Sequence, residues 1–219
     1  ENKLFEGVKS LLPEGTTLAQ FTDQYIQSSQ KVGPSMADDI KNAAFLAVVF
    51  AMFCMAAYIL LRFRDISFSV GAFASVAVTT LCIISFYTLL WKVLPFSMEV
   101  DQTFIAAILT IIGYSINDTV VVFDRIRETI GLYPKRDRYQ VINDALNSTL
   151  SRTFNTSLTT LVVVLCIFIL GGATIRSFTF AILLGIIIGT YSTLFVATPI
   201  AYELQKKKIN KKAAAEAGK

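Results

Sequence analysis

Five long stretches almost free of charge constrain the fold of this chain more than any other feature of its sequence. One stretch, 102–123, contains a single charged residue, Asp118. The other four contain none and cover 42–61, 66–91, 153–175 and 177–202. At about 1.5 Å per residue in a helix, each stretch can cross a hydrocarbon layer about 30 Å thick. The sequence therefore predicts an all-α integral membrane protein, built as a bundle of five transmembrane helices.

The composition excludes the other broad classes of protein. The 219 residues are 54% hydrophobic and 16% charged, whereas a soluble domain has about 25% charged residues. The hydrophobic content excludes a disordered chain, and 11 Gly and 5 Pro exclude a collagen-like fibre. The chain has no His, and its three Cys lie inside hydrophobic stretches without metal-ligand spacing. We therefore expect neither a metal site nor a cofactor.

The basic residues predict the orientation in the membrane. One set of loops, together with the carboxyl-terminal tail, contains 14 of the 20 Lys and Arg residues, and the opposite short loops contain only Lys92 and Arg176. Since short cytoplasmic loops carry the excess of basic residues, the carboxyl terminus is predicted to be cytoplasmic and residues 1–41 to lie outside. The net charge of +4 then reflects topology. The basic tail is expected to meet anionic lipid rather than nucleic acid.

The predicted topology divides the chain into three parts. Residues 1–36 are expected to be the remnant of an extracytoplasmic domain, because the segment is too short to bury its own core and no initiator Met precedes Glu1. Residues 37–204 form the transmembrane bundle, and 205–219 form a basic cytoplasmic tail. Within the bundle we predict spans at about 39–62, 66–91, 101–124, 153–173 and 177–203, with an amphipathic cytoplasmic segment at 136–151.

Asp118 is the most informative polar residue inside a predicted span. It lies about six residues, or roughly 9 Å along a helix, from Asp124 at the predicted cytoplasmic end. A carboxylate in hydrocarbon costs about 2.5–3.5 kcal/mol on insertion scales. Its two inexpensive states are therefore the protonated form and an ion pair with a cation. Either state makes Asp118 a candidate proton-binding site.

Polar residues at helical spacing extend this candidate site. Tyr114, Asn117 and Asp118 share one face of the third span, and a second polar face opens the fourth. The members of that second face are Arg152, Asn155, Thr156, Thr159 and Thr160. Facing each other, the two faces would line a path for protons. The alternatives are that the hydroxyl and amide groups only join helices and that Arg152 is a cytoplasmic anchor.

Two further observations concern packing and catalysis. Gly185 and Gly189 form a small-xxx-small pattern, which predicts close packing of the fifth span against another helix. The sequence contains no ATP-binding loop, no zinc-protease or other hydrolase signature and no indication of a paired-carboxylate cleft. We therefore expect no enzymatic activity of the chain alone.

Two long motifs resemble the SecF family of bacterial protein-export membrane subunits. They are GYSINDTVVVFDRIRE at 113–128 and LSRTFNTSLTT at 150–160. Val32, Gly33 and Pro34 before the first span also fit, as does 185–192 with Pro199. The resemblance implies a membrane fold similar to that of resistance-nodulation-division transporters. It also implies a six-span parent with a periplasmic domain after its first span, so this chain is expected to lack that span and most of the domain.

The resemblance also implies a function and partners. SecF pairs with SecD, as a separate subunit or as half of a fused SecDF, in the bacterial inner membrane. The pair works with the SecYEG channel, and indirectly with SecA, to complete export of preproteins with the proton motive force. Asp118 matches the family's intramembrane acidic position and Arg152 its basic position, with a further acidic group expected from SecD. A deep position for Arg152 would require its helix to begin near Ala145.

Two other functions remain open at this point. One is a proton-coupled exporter of small molecules or lipids from the resistance-nodulation-division superfamily. Such an exporter would need a substrate pocket in large outer domains, which this sequence does not contain. The other is a scaffold that stabilises the translocon without transporting anything.

Overall fold

The computed structural model describes most of the chain. The described residues are 2–8, 12–13, 17–21, 34–94, 96, 98 and 100–217. They fall into two compact units, Glu1–Asp39 and Ile40–Lys219. The boundary between the units lies close to the predicted end of the extracytoplasmic segment at residue 36.

The first unit contains two short helices, α1 (Asn2–Val8) and α2 (Leu18–Gln20). A capping box starts α2, in which Gln20 N donates to Thr17 Oγ1 and Thr17 N donates to Gln20 Oε1. This reciprocal pair satisfies two backbone N–H groups that the helix itself leaves free. The rings of Phe5 and Phe21 pack with centroids 5.3 Å apart.

The second unit is built from long helices. In chain order these are α3 (Pro34–Phe63, which begins in the first unit), α4 (Ile66–Leu90), α5 (Gln102–Leu132), α6 (Arg138–Leu170), α7 (Ala173–Ser192) and α8 (Thr198–Ala217). A π-helical turn, Thr193–Ala197, joins α7 to α8. Within the described ranges, five segments are long and apolar enough to cross a membrane, the last of them running from Ile175 through α7 and the π-helical turn to Asn210 in α8. The predicted all-α bundle of five transmembrane helices is confirmed.

Aspartates at the helix starts explain where the helices begin. Asp65, Asp101 and Asp137 are the N-caps of α4, α5 and α6. Their carboxylates accept from the backbone N–H of Ser67, Phe104 and Gln140 at 3.1, 2.9 and 3.3 Å. Such a cap satisfies one of the free N–H groups of the first turn. Asp65 and Asp101 also directly precede apolar stretches, so at these two positions one residue marks the start of both the helix and the stretch.

Helix α6 differs from the predicted organisation. It is one continuous helix of 33 residues from Arg138, so it includes both the predicted amphipathic segment and the predicted fourth span. Ile142 and Ala145 of the amphipathic part pack in the core beside Phe123. The apolar face of this segment is therefore covered by the bundle itself. The helix begins at Arg138, before Ala145, as a deep position of Arg152 requires. A functional role for Arg152 stays a prediction.

Two apolar clusters form the core. The first surrounds Phe68 and Phe123, whose ring centroids are 4.8 Å apart, at the end of the bundle where α3 turns into α4. The second surrounds Ile83, Tyr87 and Ile111 toward the other end. Along α5, the buried polar residues of 115–119 lie between the two clusters. This polar layer contains the candidate site.

Glycines allow the closest helix contacts. A methyl group at Gly185 of α7 would overlap the side chain of Ile111 on α5, and one at Gly189 would lie 3.4 Å from Ser115 Oγ. A methyl group at Gly71 of α4 would lie 2.5 Å from the carbonyl oxygen of Ala197 in the π-helical turn. Helices α5 and α7 therefore approach each other at the predicted small-xxx-small pattern.

Replacing Gly185→Ala should destabilise the protein by about 1–3 kcal/mol, because the added methyl group must displace the whole Ile111 side chain. Thermal unfolding of the intact protein in detergent measures the effect. Gly113→Ala is the matched control, since that glycine of α5 has no atom within 4 Å of the added methyl group. Alanine is also the better helix former. Equal melting temperatures for the two variants would contradict a packing role for Gly185.

Candidate functional site

Asp118 lies where three helices meet. Its side chain is on the inner face of α5, and the residue is 6% exposed. Ser157 Oγ of α6 donates to Asp118 Oδ2 at 3.5 Å, and the same hydroxyl lies 2.7 Å from Thr190 Oγ1 of α7. Thr190 Oγ1 also lies 2.8 Å from the carbonyl oxygen of Ile186, which is its alternative acceptor. The carboxyl group is therefore the start of a short chain of hydroxyls that crosses from α5 to α7.

The direction of this hydroxyl chain depends on the proton. A hydroxyl has one hydrogen to donate, whereas an ionised carboxylate can only accept. With Asp118 ionised, Ser157 donates to it and receives from Thr190. With Asp118 protonated, the carboxyl group donates to Ser157, Ser157 donates to Thr190, and Thr190 donates to Ile186. Loss or gain of one proton thus changes hydrogen bonds on all three helices.

The polar layer continues to α4 and the π-helical turn. Thr119 Oγ1 lies 3.0 Å from Thr193 Oγ1 and donates to the carbonyl oxygen of Ser115 at 2.9 Å. Ser75 Oγ donates to Ser192 Oγ at 3.0 Å, and Ser192 Oγ donates to the carbonyl oxygen of Ser75 at 2.9 Å. Hydroxyl groups therefore connect α4, α5, α6 and α7 at the level of Asp118.

Two buried hydroxyls in this layer have no partner among the residues that the structure describes. Ser115 Oγ and Thr153 Oγ1 make no hydrogen bond to any residue of the described ranges, although their residues are only 2% and 1% exposed. An unsatisfied buried hydroxyl costs about 1–3 kcal/mol, so each position is suited to a water molecule. Thr153 precedes Ser157 by one turn of α6 and lies on the same face.

A charged cavity of about 530 Å³ lies beyond Thr153. It is lined by Thr149 and Arg152 of α6 and by Asp124, Arg125 and Glu128 of α5, together with Val121. Arg125 pairs with Glu128 at 2.8 Å and its Nε donates to Ser148 Oγ at 3.0 Å. Thr149, Thr153 and Ser157 follow each other at four-residue spacing, and we call them the hydroxyl face of α6. This face leads from Asp118 to the charged cavity.

The structure brings some of the predicted site residues together. Tyr114 OH donates to Thr160 Oγ1 at 3.4 Å, so Tyr114 and Asp118 both contact α6. Arg152 lines the charged cavity but does not form an ion pair with Asp118. Its guanidinium group is therefore placed at the cavity end of the hydroxyl face.

The other predicted residues lie elsewhere on the helices. Asn117 of α5 and Asn155 and Thr159 of α6 are exposed, and Thr156 is half-buried. Thr156 and Thr159 donate to carbonyl oxygens of their own helix at 2.9 Å. Their part in a proton path stays a prediction. The contact between α5 and α6 is made instead by the adjacent hydroxyl face.

Sequence reasoning missed three residues of the site, Ser157, Thr153 and Thr190. A signal existed for the first two, because Thr149, Thr153 and Ser157 recur at helical spacing. The polar stripe of Arg152, Asn155 and Thr156 lies on the neighbouring face. Because this stripe contains more polar groups, the prediction chose it instead of the hydroxyl face. Thr190 stands alone in an apolar helix and gave no signal.

Comparison with known proteins identifies the family. Residues 14–207 match the family described as "Protein export membrane protein SecD/SecF, C-terminal". The chain belongs to this family. It is 43% identical over 207 residues to the protein translocase subunit SecF of Rhodothermus marinus, covering 94% of this chain and 65% of that protein. It is 40% identical over 183 residues to the subunit of the same name from Petrotoga mobilis, covering 84% and 58%. The chain thus spans about three fifths of the length of these SecF relatives.

Solved structures agree with the sequence comparison. A crystal structure of SecDF in the super-membrane-facing form matches with a TM-score of 0.72 and 33% identity, covering 90% of this chain and 27% of that one. SecDF from Thermus thermophilus, described as a translocon-associated membrane protein, matches with a TM-score of 0.71 and 39% identity, covering 80% and 23%. The resemblance found in the two motifs is confirmed, and this chain is a multi-pass membrane protein of the SecD/SecF family.

Replacing Ser157→Ala should destabilise the protein by about 1–3 kcal/mol, because Asp118 and Thr190 both lose a buried hydrogen-bond partner. Thermal unfolding of the intact protein in detergent measures the loss. Ser151→Ala is the matched control, since Ser151 is exposed on the same helix. A loss no larger than that of the control would contradict the hydroxyl chain.

Proposed function

We propose that this chain is the SecF part of a protein-export complex in the bacterial inner membrane, where it works with SecD and uses the proton motive force to drive or complete the export of preproteins. The observation that carries the proposal is the buried Asp118 carboxyl group, which is joined by hydroxyls to two other helices in a family of protein-export membrane proteins. The chain has no enzymatic activity of its own in this proposal. The free energy for export comes from protons that move down their gradient across the membrane.

Protonation of Asp118 is the proposed switch. Because the hydroxyl chain reverses its direction with the proton, the ionised and neutral forms favour different arrangements of α5, α6 and α7. If a group binds a proton more tightly in one arrangement of the helices, protonation shifts the population toward that arrangement. One elementary charge crossing 100 mV contributes about 2.3 kcal/mol, so several protons supply enough free energy for a domain motion.

The cytoplasmic half of the proton path follows the hydroxyl face of α6. Water at the Thr153 hydroxyl would connect Ser157 with the charged cavity, which Asp124 and Glu128 line. Arg152 lines the same cavity, at the end of the hydroxyl face away from Asp118. In this arrangement Arg152 acts without direct contact to Asp118.

The exposed polar residues of the spans suggest where SecD lies. Asn117, Asn155 and Thr159 would be unfavourable against lipid, so we place them against SecD, which also supplies a further acidic group. The other proposed partners are the SecYEG channel, translocating preproteins and, indirectly, SecA. The first unit belongs to a periplasmic domain, and the carboxyl terminus is cytoplasmic.

Replacing Asp118→Asn should abolish the stimulation of export by the proton gradient, because asparagine keeps the shape and the hydrogen bonds but cannot release a proton. The measurement is export into inverted membrane vesicles by the intact protein and its partners, with and without the gradient. Asp101→Asn is the control, since asparagine caps α5 as well as aspartate does and lies outside the polar layer. Undiminished stimulation in the Asp118 variant would leave a translocon scaffold as the better description.

Replacing Thr153→Val should slow gradient-stimulated export several-fold without loss of stability, because it removes a hydroxyl that the proton path needs and that has no protein partner. Thr156→Val is the matched comparison, since its hydroxyl bonds only to its own helix. The same vesicle assay, together with thermal unfolding, measures both variants. A larger effect at Thr156 would assign the path to the stripe of Arg152, Asn155 and Thr156 instead.

A further inference from the structure

A second cavity, of about 290 Å³, lies at the end of the bundle where α3 turns into α4. Three cationic side chains line it, one each from α5, α6 and α8: Arg127, Arg138 and Lys208. Asp65 is the one acidic residue in its lining. We call it the basic cavity, and none of its residues belongs to the site around Asp118.

The cations of the basic cavity are largely uncompensated. Lys208 Nζ lies 3.4 Å from Asp65 Oδ1, and that carboxylate is also engaged as the cap of α4. Neither Arg127 nor Arg138 forms an ion pair with any residue that the structure describes. The lining therefore carries an excess of two positive charges.

Two carboxylates of α5 and α6 do not offset this excess, because they pair with other arginines. Arg62 pairs with Asp124 at 2.8 Å, and Arg136 pairs with Asp144 at 2.7 Å. Like charges that line one cavity repel each other unless an anion lies between them. The basic cavity is thus electrostatically suited to a bound anion.

A buried amide gives an independent indication of a ligand. Gln205 of α8 lines the basic cavity and is only 8% exposed, yet its side chain makes no hydrogen bond within the described part of the chain. The amide borders the basic cavity, so it is free to hydrogen-bond to a ligand there. Guanidinium and amide N–H groups together match the oxygens of a phosphate group.

The remaining wall of the basic cavity is apolar and lies next to the membrane spans. It is formed by Phe63, Phe68, Ile130 and Ile209. Phe63 is the last residue of one candidate span, and Ile66 begins the next. A ligand here meets cations on one side and hydrocarbon on the other, which is the arrangement of a phospholipid at a membrane surface.

We propose that the basic cavity binds the phosphate group of an anionic membrane lipid. Arg127, Arg138 and Gln205 hold the phosphate oxygens, and Phe63 and Ile209 contact the glycerol and the first methylene groups. A soluble phosphate ester shares the phosphate chemistry but makes no use of the apolar wall. The site makes no use of Asp118 and stands independently of the proposed proton path.

Native mass spectrometry of the intact protein with added phosphatidylglycerol or phosphatidylethanolamine tests this proposal. We expect one phosphatidylglycerol to be retained in preference to phosphatidylethanolamine. The double variant Arg127→Gln/Arg138→Gln should bind it about thirtyfold more weakly, since each basic residue near an anionic surface contributes roughly fivefold. The control Arg136→Gln/Lys207→Gln removes the same charge from the same end of the bundle without touching the cavity, and it should keep the lipid.

Other outcomes overturn the proposal. Equal losses in the two double variants would mean general attraction to a basic surface, and no loss in either would place the lipid elsewhere. Displacement of the lipid by millimolar glycerol 3-phosphate would assign the site to a soluble ester. Ile209→Trp provides a second test that keeps every charge, because the indole ring fills the apolar part of the cavity. Retention of the lipid by this variant at wild-type affinity would also contradict the site.

Discussion

The arrangement of the bundle depends on one buried carboxyl group and the hydroxyls that surround it. Asp118 is expensive to bury, and its cost is offset only by partners held at the right place on α6 and α7. Ser157 and Thr190 are such partners, and their hydrogen bonds extend across three helices. The two apolar clusters on either side give the bundle its cohesion. The polar layer determines how the helices are aligned along and around their axes.

The antiparallel register of α5 and α6 explains why Asp118 and Arg152 are separated within this chain. Asp118 contacts Ser157, and seven residues further along α5 Arg125 contacts Ser148. Arg152 therefore lies beside residues 121–122, about one turn or 6 Å from the level of Asp118. Its guanidinium group lines the charged cavity with Asp124 and Glu128. An aspartate without a direct cationic partner can change its protonation without breaking an ion pair, which fits the proton-binding role proposed for Asp118.

The number of spans was predictable because hydrophobicity and capping act locally. Asp65, Asp101 and Asp137 each end a loop and begin a helix. Hydrophobic stretches and capping residues can both be recognised in the sequence. The continuity of α6 was not predictable, because an amphipathic segment packed against its own bundle has the same pattern as one lying on a membrane surface. Only the tertiary contacts of Ile142 and Ala145 distinguish these two arrangements.

The candidate site was predictable only in part, for a related reason. Asp118 was found because an acidic residue in an apolar stretch is rare and costly. Its partner Ser157 was missed because α6 has polar residues on two adjacent faces, and the choice between them depends on how the helix is rotated. That rotation is decided by packing against α5 and α7. Thr190 could not be predicted from the sequence, because a single hydroxyl in an apolar helix does not indicate which residues it contacts.

The π-helical turn connects the polar layer around Asp118 with the helix that reaches the basic cavity. It lies directly after the turn of α7 that carries Thr190, and its first residue, Thr193, contacts Thr119 of α5. A π-helical turn holds one residue more than an α-helical turn, so it can change the alignment of the helix segments on either side. Helix α8 continues from it to Gln205 and Lys208 at the basic cavity. In the proposed mechanism, a proton that reverses the hydroxyl chain at Thr190 therefore acts on a helix whose far end holds a lipid. The bound lipid would anchor that end, so that the motion is directed toward the opposite side of the membrane.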